Sequence, residues 1–325
     1  MSMSMSMGMG MGMGILQLGL NRVAAVSNGG RQCAMHTVTT RRPVLAAFAH
    51  LASLAVLGAL PACSALSGPA SAPAEDEALR AALAGAHRSA ANRERDGARH
   101  PYETLRFFGI RPTQRVVELT PGGGWYTEIL APYLRPQGLF CTAHFAQEGG
   151  SEGRRRARAN HDARLARQPA LYDRVVSGTL PSGGRFGDIT AALEKDGGAD
   201  LIVTFRNVHN WLEDGSLDDT LRACHALLKR GGVLGVVDHR AAPGTSVEAQ
   251  RKSGYVTEAL MQTRAQAVGF KLDARSEVNA NPRDTKDYAN GVWALPPTFA
   301  GKDVDRERYA AIGESDRFTH RYVKA

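Results

Sequence analysis

The sequence is poor in the residues that build metal or disulfide frameworks. It holds four cysteines in 325 residues, with no C-x-x-C and no His/Cys pair at metal-ligand spacing. A structural zinc is therefore not expected, and no metal is assigned to the chain. Acidic residues are absent from positions 1–62, which carry Arg22, Arg31, Arg41 and Arg42. Beyond that segment 36 basic residues face 32 acidic ones, so the net charge of +8 falls to +4. A surplus this mild calls for no nucleic-acid partner, and no stripe of interleaved basic and aromatic residues is present. The one dense basic run, Arg154-Arg155-Arg156 with Arg158, Arg164 and Arg167, lies in a helix-like stretch. It reads as a solvated helix face, with a footprint for an acidic membrane or polyanion as the alternative. What the chain does have is apolar content, 43% against 22% charged residues, which is enough for a sizeable core.

The amino-terminal part reads as an address. Residues 1–34 open with a Met-Ser and Met-Gly repeat that offers nothing to pack, and Met35 is the better start. Arg41-Arg42, an apolar stretch from Pro43 to Leu60, and Ala62-Cys63 follow in the order of a secretory signal peptide over 35–62. Leu60-Pro61-Ala62-Cys63 resembles a bacterial lipobox. That resemblance implies lipidation of Cys63, attachment to a membrane through the lipid anchor, and an exported, periplasmic location. Pro61 departs from the usual pattern, so a plain signal peptide stays open beside it. A spanning helix is disfavoured by His50, Ser53 and Gly58 within a barely sufficient length. Residues 63–74, rich in Ser, Ala, Gly and Pro, suit a flexible tether. Cys33 falls in the leader, while Cys141 and Cys224 sit in apolar stretches and read as core.

Over 75–325 the pattern predicts one α/β domain. Glu75 to Arg99 is expected to be helical, and Pro101 to open a helix that Gly109 closes. Strands are expected at 116–119, 139–143, 174–177, 200–205, 233–237, 270–278 and 319–323. Helices are expected at 125–134, 151–167, 217–229 and 255–268. This alternation implies a mostly parallel sheet covered by helices on both faces.

The chemistry gathers where such strands end. The first strand runs into Glu118-Leu119-Thr120-Pro121-Gly122-Gly123-Gly124-Trp125, whose glycines permit a sharp turn and close approach to a ligand. A dinucleotide fingerprint needs a third glycine where Thr127 stands. The spacing, acidic-x-x-x-Gly-x-Gly, instead resembles the first motif of class I S-adenosylmethionine-dependent methyltransferases. Phe205-Arg206-Asn207-Val208 resembles the matching segment of quinone-biosynthesis methyltransferases, and Leu227-Leu228-Lys229-Arg230-Gly231-Gly232 the turn before their fifth strand. Residues 100–325 as a whole resemble a bacterial family of predicted methyltransferases, often exported. That likeness is carried by Pro121-Gly-Gly-Gly-Trp-Tyr-Thr-Glu-Ile-Leu130, Phe205-Arg-Asn-Val-His-Asn-Trp211, Asp238-His-Arg-Ala241, Asn279-Ala-Asn-Pro282 and Gly313-Glu-Ser-Asp-Arg317.

The resemblance implies a Rossmann-like class I methyltransferase fold with a seven-stranded, mostly parallel sheet, and S-adenosylmethionine as cofactor. It implies cofactor contacts from Glu118, Pro121, Gly122, Gly123, Gly124, Trp125, His144, Arg206 and Asn207. His144 departs from the pattern, because an acidic residue usually grips the ribose there and an imidazole offers no two-acceptor grip. Beyond the fourth and fifth strands, His209 and His239 are the candidate acid–base residues. Asp238, Arg240, Trp211, Asn279 and Asn281 are the candidate substrate contacts. Arg206 and Arg240 are the residues suited to an acidic substrate group. Residues 279–317 form a long insertion expected to fold over the crevice as a lid, with Arg283 and Asp284 also near the substrate. Two functions follow as expectations: methyl transfer to a small molecule, or a non-catalytic envelope lipoprotein that keeps the fold and binds a ligand.

Overall fold

The computed structural model describes residues 76–181 and 185–325, all of which belong to one unit, 68–325. The leader, the apolar run, Cys63 and the tether lie outside the described residues.

The described chain opens with four helices: α1 (Glu77–Ala84), α2 (Ala90–Arg93), α3 (Asp96–Arg99) and α4 (Pro101–Phe107). There follow β1 (Arg115–Leu119), α5 (Thr127–Leu134), β2 (Leu139–His144), α6 (Glu152–Arg167), α7 (Pro169–Tyr172), β3 (Val176–Thr179) and α8 (Asp188–Glu194). Next come β4 (Ala199–Phe205), α9 (Val208–Asp214), α10 (Leu217–Leu227), β5 (Leu228–His239), α11 (Val247–Ser253) and α12 (Glu258–Ala267). The chain closes with β6 (Phe270–Ser276), a 3-10 turn (Gly291–Ala294), α13 (Arg306–Ile312) and β7 (Arg317–Lys324).

The seven strands form one sheet in the order β3-β2-β1-β4-β5-β7-β6. β1 to β5 pair in parallel, and β7 runs antiparallel to both β5 and β6. This is the Rossmann-like, seven-stranded, mostly parallel sheet that the sequence implied. Alternate residues of its central strands serve two cores, as the pleat demands. Val117, Leu119 and Ile202 pack beneath α8, α9, α10 and α12. Val116, Leu201 and Val203 pack beneath α1, α4, α5 and α7. Among the described residues no helix is long and apolar enough to cross a membrane.

Several elements differ from expectation: α7, α8, α9 and α11 are additional helices, and β3 lies two residues later than expected. Residues 77–99 form three short helices in place of the one continuous helical stretch expected, because tertiary contacts override helix propensity. Arg88 turns inward at the break, making two 2.7 Å bonds to Asp96 and one of 3.0 Å to Leu83 O, and Ser89 caps α2. The helix expected to 229 ends at Leu227, because Leu228 already pairs with Ala199 in a register shift that accommodates Gly231-Gly232. The insertion 279–317 carries a 3-10 turn and a helix of its own.

Gly235 on β5 is a packing requirement, since a Cβ there would sit 2.7 Å from the Phe108 ring. Gly235→Ala is expected to cost about 1–3 kcal/mol by overpacking, read as a lower urea midpoint; an unchanged midpoint would contradict the close packing of α4 on the sheet.

Candidate active site at the strand ends

Sheet order reverses between β1 and β4, so their carboxyl ends diverge and leave a crevice. Two non-glycine residues take left-handed backbone there, Thr120 (φ 48°) after β1 and Arg206 (φ 62°) after β4. Such conformations carry strain and persist where surrounding structure fixes them. The fixing is visible: Thr120 N donates to Ala143 O at 2.7 Å and Arg206 N to Val237 O at 2.7 Å. The Asn207 amide spans the gap, donating to Leu119 O at 3.1 Å and approaching Thr204 Oγ1 at 3.1 Å. Asn207 thus joins two strand ends instead of capping α9 with its side chain.

Gly122 follows in left-handed backbone (φ 56°), and a Cβ built on it meets nothing within 4 Å. The loop faces open space. A hollow of about 420 Å³ lies there, bounded by Glu118, Pro121, Gly122 and Gly123 on one side and Arg95, Arg99, Phe205 and Arg206 on the other. A second, of about 320 Å³, runs past Thr179, Leu180 and Trp211. The two share Thr120, Phe145, Asn207 and Asn210, and their volumes suit a small ligand. Trp125 is held by its indole N–H on Asn92 O at 3.0 Å and lies under Arg99, 4.5 Å from the ring centroid. Tyr126 stacks on Phe205 at 3.4 Å.

Glu118 is buried with one side-chain partner, the Thr127 hydroxyl at 2.7 Å. Burial outweighs that bond and lifts its carboxyl to about 8, so it is mostly protonated at neutral pH. His144 does not line either hollow. Its Nδ1 accepts from Phe145 N at 2.7 Å and its Nε2 lies 3.4 Å from Gly122 O. Burial and the neighbouring His161 lower it to about 4, so the neutral ring ties β2 to the glycine loop and offers nothing to a ribose.

At the end of β5, Asp238 is fully buried and accepts from His209 N at 3.0 Å and His239 N at 2.7 Å. His209 Nδ1 stands 2.9 Å from the same carboxylate, a geometry that suits the tautomer with its proton on Nδ1 and an acceptor at Nε2. His239 Nδ1 bonds Ser315 Oγ at 2.5 Å, and the two imidazoles are 5.0 Å apart. Burial, then His209, Arg206, Arg317 and Arg99, drive His239 well below the ordinary histidine value.

His209, Asp238 and His239 each bring a potential ligand atom, all within 4.8 Å of one another. The sequence expectation of no metal rested on Cys and His/Cys spacing and did not weigh this set, whose members come from α9 and the end of β5. Two effects compete over it. Such donors suit a divalent cation, yet three guanidiniums act on the same histidine and repel one. With Asp238 already accepting three N–H groups, the arrangement favours handling a proton over caging a cation.

The other expected substrate contacts lie elsewhere. Arg240 is spent on Glu277 at 2.6 Å and Asp316 at 3.4 Å. Asn279 bonds the Thr104 and Thr319 hydroxyls, both at 2.9 Å. Asn281 bonds Ile312 O and Glu314 O, Arg283 bonds Ala311 O, and Asp284 takes the Tyr255 hydroxyl. These four fasten the insertion to itself and to the sheet. Its contribution to the site comes from Glu314, Ser315 and Arg317 instead. Arg95 and Arg99 were read from sequence only as helix. Their partner Glu314 is 219 and 215 residues away, a separation that local pattern does not bridge.

No sequence-family model matches the chain, and no curated protein matches it. Solved structures resemble it in part. A SAM-dependent methyltransferase from Aquifex aeolicus is 13% identical, with 71% of this chain and 93% of that one covered at a TM-score of 0.46. A cyclopropane-fatty-acyl-phospholipid synthase-like protein from Lactobacillus casei is 14% identical, with 75% and 98% covered and a TM-score of 0.45. The [4+2]-cyclase SpnF is 17% identical, with 70% and 80% covered and a TM-score of 0.45. Likeness at this level carries no argument about ligand or activity.

The raised Glu118 carboxyl makes a signed prediction. An acid whose folded pKa lies above its unfolded value favours the fold at low pH and loses that advantage as pH rises towards the folded value. Glu118→Gln should therefore match wild type in melting temperature near pH 4.5 and exceed it increasingly up to about pH 8. A difference that does not change with pH would contradict the buried, protonated carboxyl.

Proposed function

We propose that this chain is a class I S-adenosylmethionine-dependent methyltransferase acting on a small molecule. The observation that carries the reading is the loop after β1: an acidic residue, then glycines whose vacant Cβ positions face a hollow at the switch point. When bound, S-adenosylmethionine supplies an electrophilic methyl group. Gly122 and Gly123 let the backbone approach it, while Glu118 and Asn207 border the same space. The protein's remaining task is to place an acceptor in line and remove its proton. His209 suits that role, since Asp238 holds Nδ1–H and leaves Nε2 as base; His239, kept neutral and bonded to Ser315, stands beside it.

One observation favours a second reading, a ligand-binding protein without catalysis: both ring nitrogens of His144 are engaged where the family usually grips the ribose. Calorimetric titration of S-adenosylhomocysteine into the full chain separates the two. Micromolar binding is expected, lost in Gly122→Val, where a β-branched side chain enters left-handed backbone and fills the hollow. No binding to the folded wild type would remove the enzyme reading.

The export signal and Cys63 lipidation belong to the same proposal, on the strength of the lipobox resemblance. In a bacterial host, Cys63→Ser should move the protein from the membrane to the soluble fraction; unchanged partitioning would refute the anchor.

A further inference from the structure

Among the described residues, protein groups do not balance the charge around the larger hollow. Arg95, Arg99, Arg206 and Arg317 meet there, and Glu314 serves three of them, at 2.7 Å from Arg95 Nε, 3.4 Å from Arg99 Nε and 3.3 Å from Arg317 Nη1. The other carboxylate acting on Arg206 is Asp238, whose oxygens are occupied by N–H donors. Four guanidiniums against two carboxylates leave two positive charges over.

The surplus has an address. Arg206 lines the hollow with no side-chain hydrogen bond or ion pair among the described residues. Arg99 is 4% exposed, and its Nη2 is buried without a partner. Arg95 Nη2 and Thr120 Oγ1 are likewise buried and unpartnered, and all four residues line this one hollow. Buried donors without acceptors, and buried charges without counter-charges, are costly and rare. Burial and the adjacent Arg206 lower Arg99 to about 9, so it still carries its charge at neutral pH.

We infer that this hollow anchors an acidic group of the methyl acceptor, a small organic acid or phosphate ester whose dianionic end lies among Arg95, Arg99 and Arg206. The inference rests on the methyltransferase reading above. S-adenosylmethionine carries one carboxylate, one ammonium and one sulfonium, so it arrives with a net positive charge and does not relieve the surplus. A dianion does, and planar guanidinium forks match carboxylate and phosphate oxygens. Arg240, the other arginine suited by sequence to an acidic group, is committed to Glu277 and Asp316.

The anion has two possible sources, the acceptor and the carboxylate of the cofactor, and one experiment distinguishes them. Inorganic phosphate and S-adenosylhomocysteine are titrated separately into the full-length wild type, Arg99→Gln, Arg206→Gln and the control Arg240→Gln. Each variant is first checked by thermal melting; Arg206→Lys, expected to keep phosphate within about threefold, replaces Arg206→Gln if that protein does not fold. Phosphate should bind wild type and the control, and weaken by at least about tenfold in Arg99→Gln and Arg206→Gln. S-adenosylhomocysteine should change by less than about threefold in all of them. No phosphate binding to wild type, or equal binding in every variant, overturns the inference. A selective loss of S-adenosylhomocysteine also overturns it and assigns the arginines to the cofactor carboxylate. Arginine-dependent phosphate binding without any S-adenosylhomocysteine binding upholds the anion site and rejects the methyltransferase reading.

Discussion

One buried carboxylate, Glu314, holds the edge of the candidate site together. Burial alone would raise it, yet Arg99, Arg317 and Arg95 outweigh burial and hold it at about 2. Its partners come from two parts of the chain: α3 with the residue before it, and the start of β7. The cluster thereby joins the amino-terminal helices to the far end of the sheet, across the mouth of the crevice. A depressed carboxyl of this kind contributes its full stability above the ordinary carboxyl range and loses it as pH falls towards 2. Without Glu314 the same arginines would face one another with no counter-charge, the expensive case for buried ions.

The sheet supplies the rigidity that this arrangement needs. Its central strands are buried on both faces, so the ends of β1, β4 and β5 keep fixed separations. Strain is then affordable at their tips, where Thr120 and Arg206 adopt left-handed backbone and Asn207 ties one tip to another. The outcome is a crevice with a glycine loop on one wall, guanidiniums on the other, and the Asp238–His209 pair beside it. On the proposed reading a cofactor and an acidic acceptor find matching groups within that space, while His209 and His239 line neither hollow.

Much of the fold was legible in the sequence because parallel strands buried on both faces read as short apolar runs. Val116 to Leu119 and Asp200 to Phe205 are of this kind, and Gly109 and Gly269 end helices where left-handed backbone requires them. The glycine loop and the two histidines were legible for a similar reason, since they stand at or within a few residues of strand ends. The break at Arg88 was not, because it depends on Asp96 and on Glu128 of α5. Asn279 and Asn281 stood in a polar insertion that reads like a binding loop, and only the fold shows their amides spent on Thr104, Thr319 and the backbone of α13. The arginine cluster was hidden most completely. Arg95 and Arg99 lie in a helical stretch that looks solvated, and nothing local reveals a carboxylate more than two hundred residues further on.

The most direct test is a crystal structure of the full-length protein grown with S-adenosylhomocysteine and inorganic phosphate together. The account predicts the nucleoside along Gly122 and Asn207, and a separate phosphate between Arg99 and Arg206. Density for the homocysteine carboxylate on those arginines, with no second anion, would contradict it.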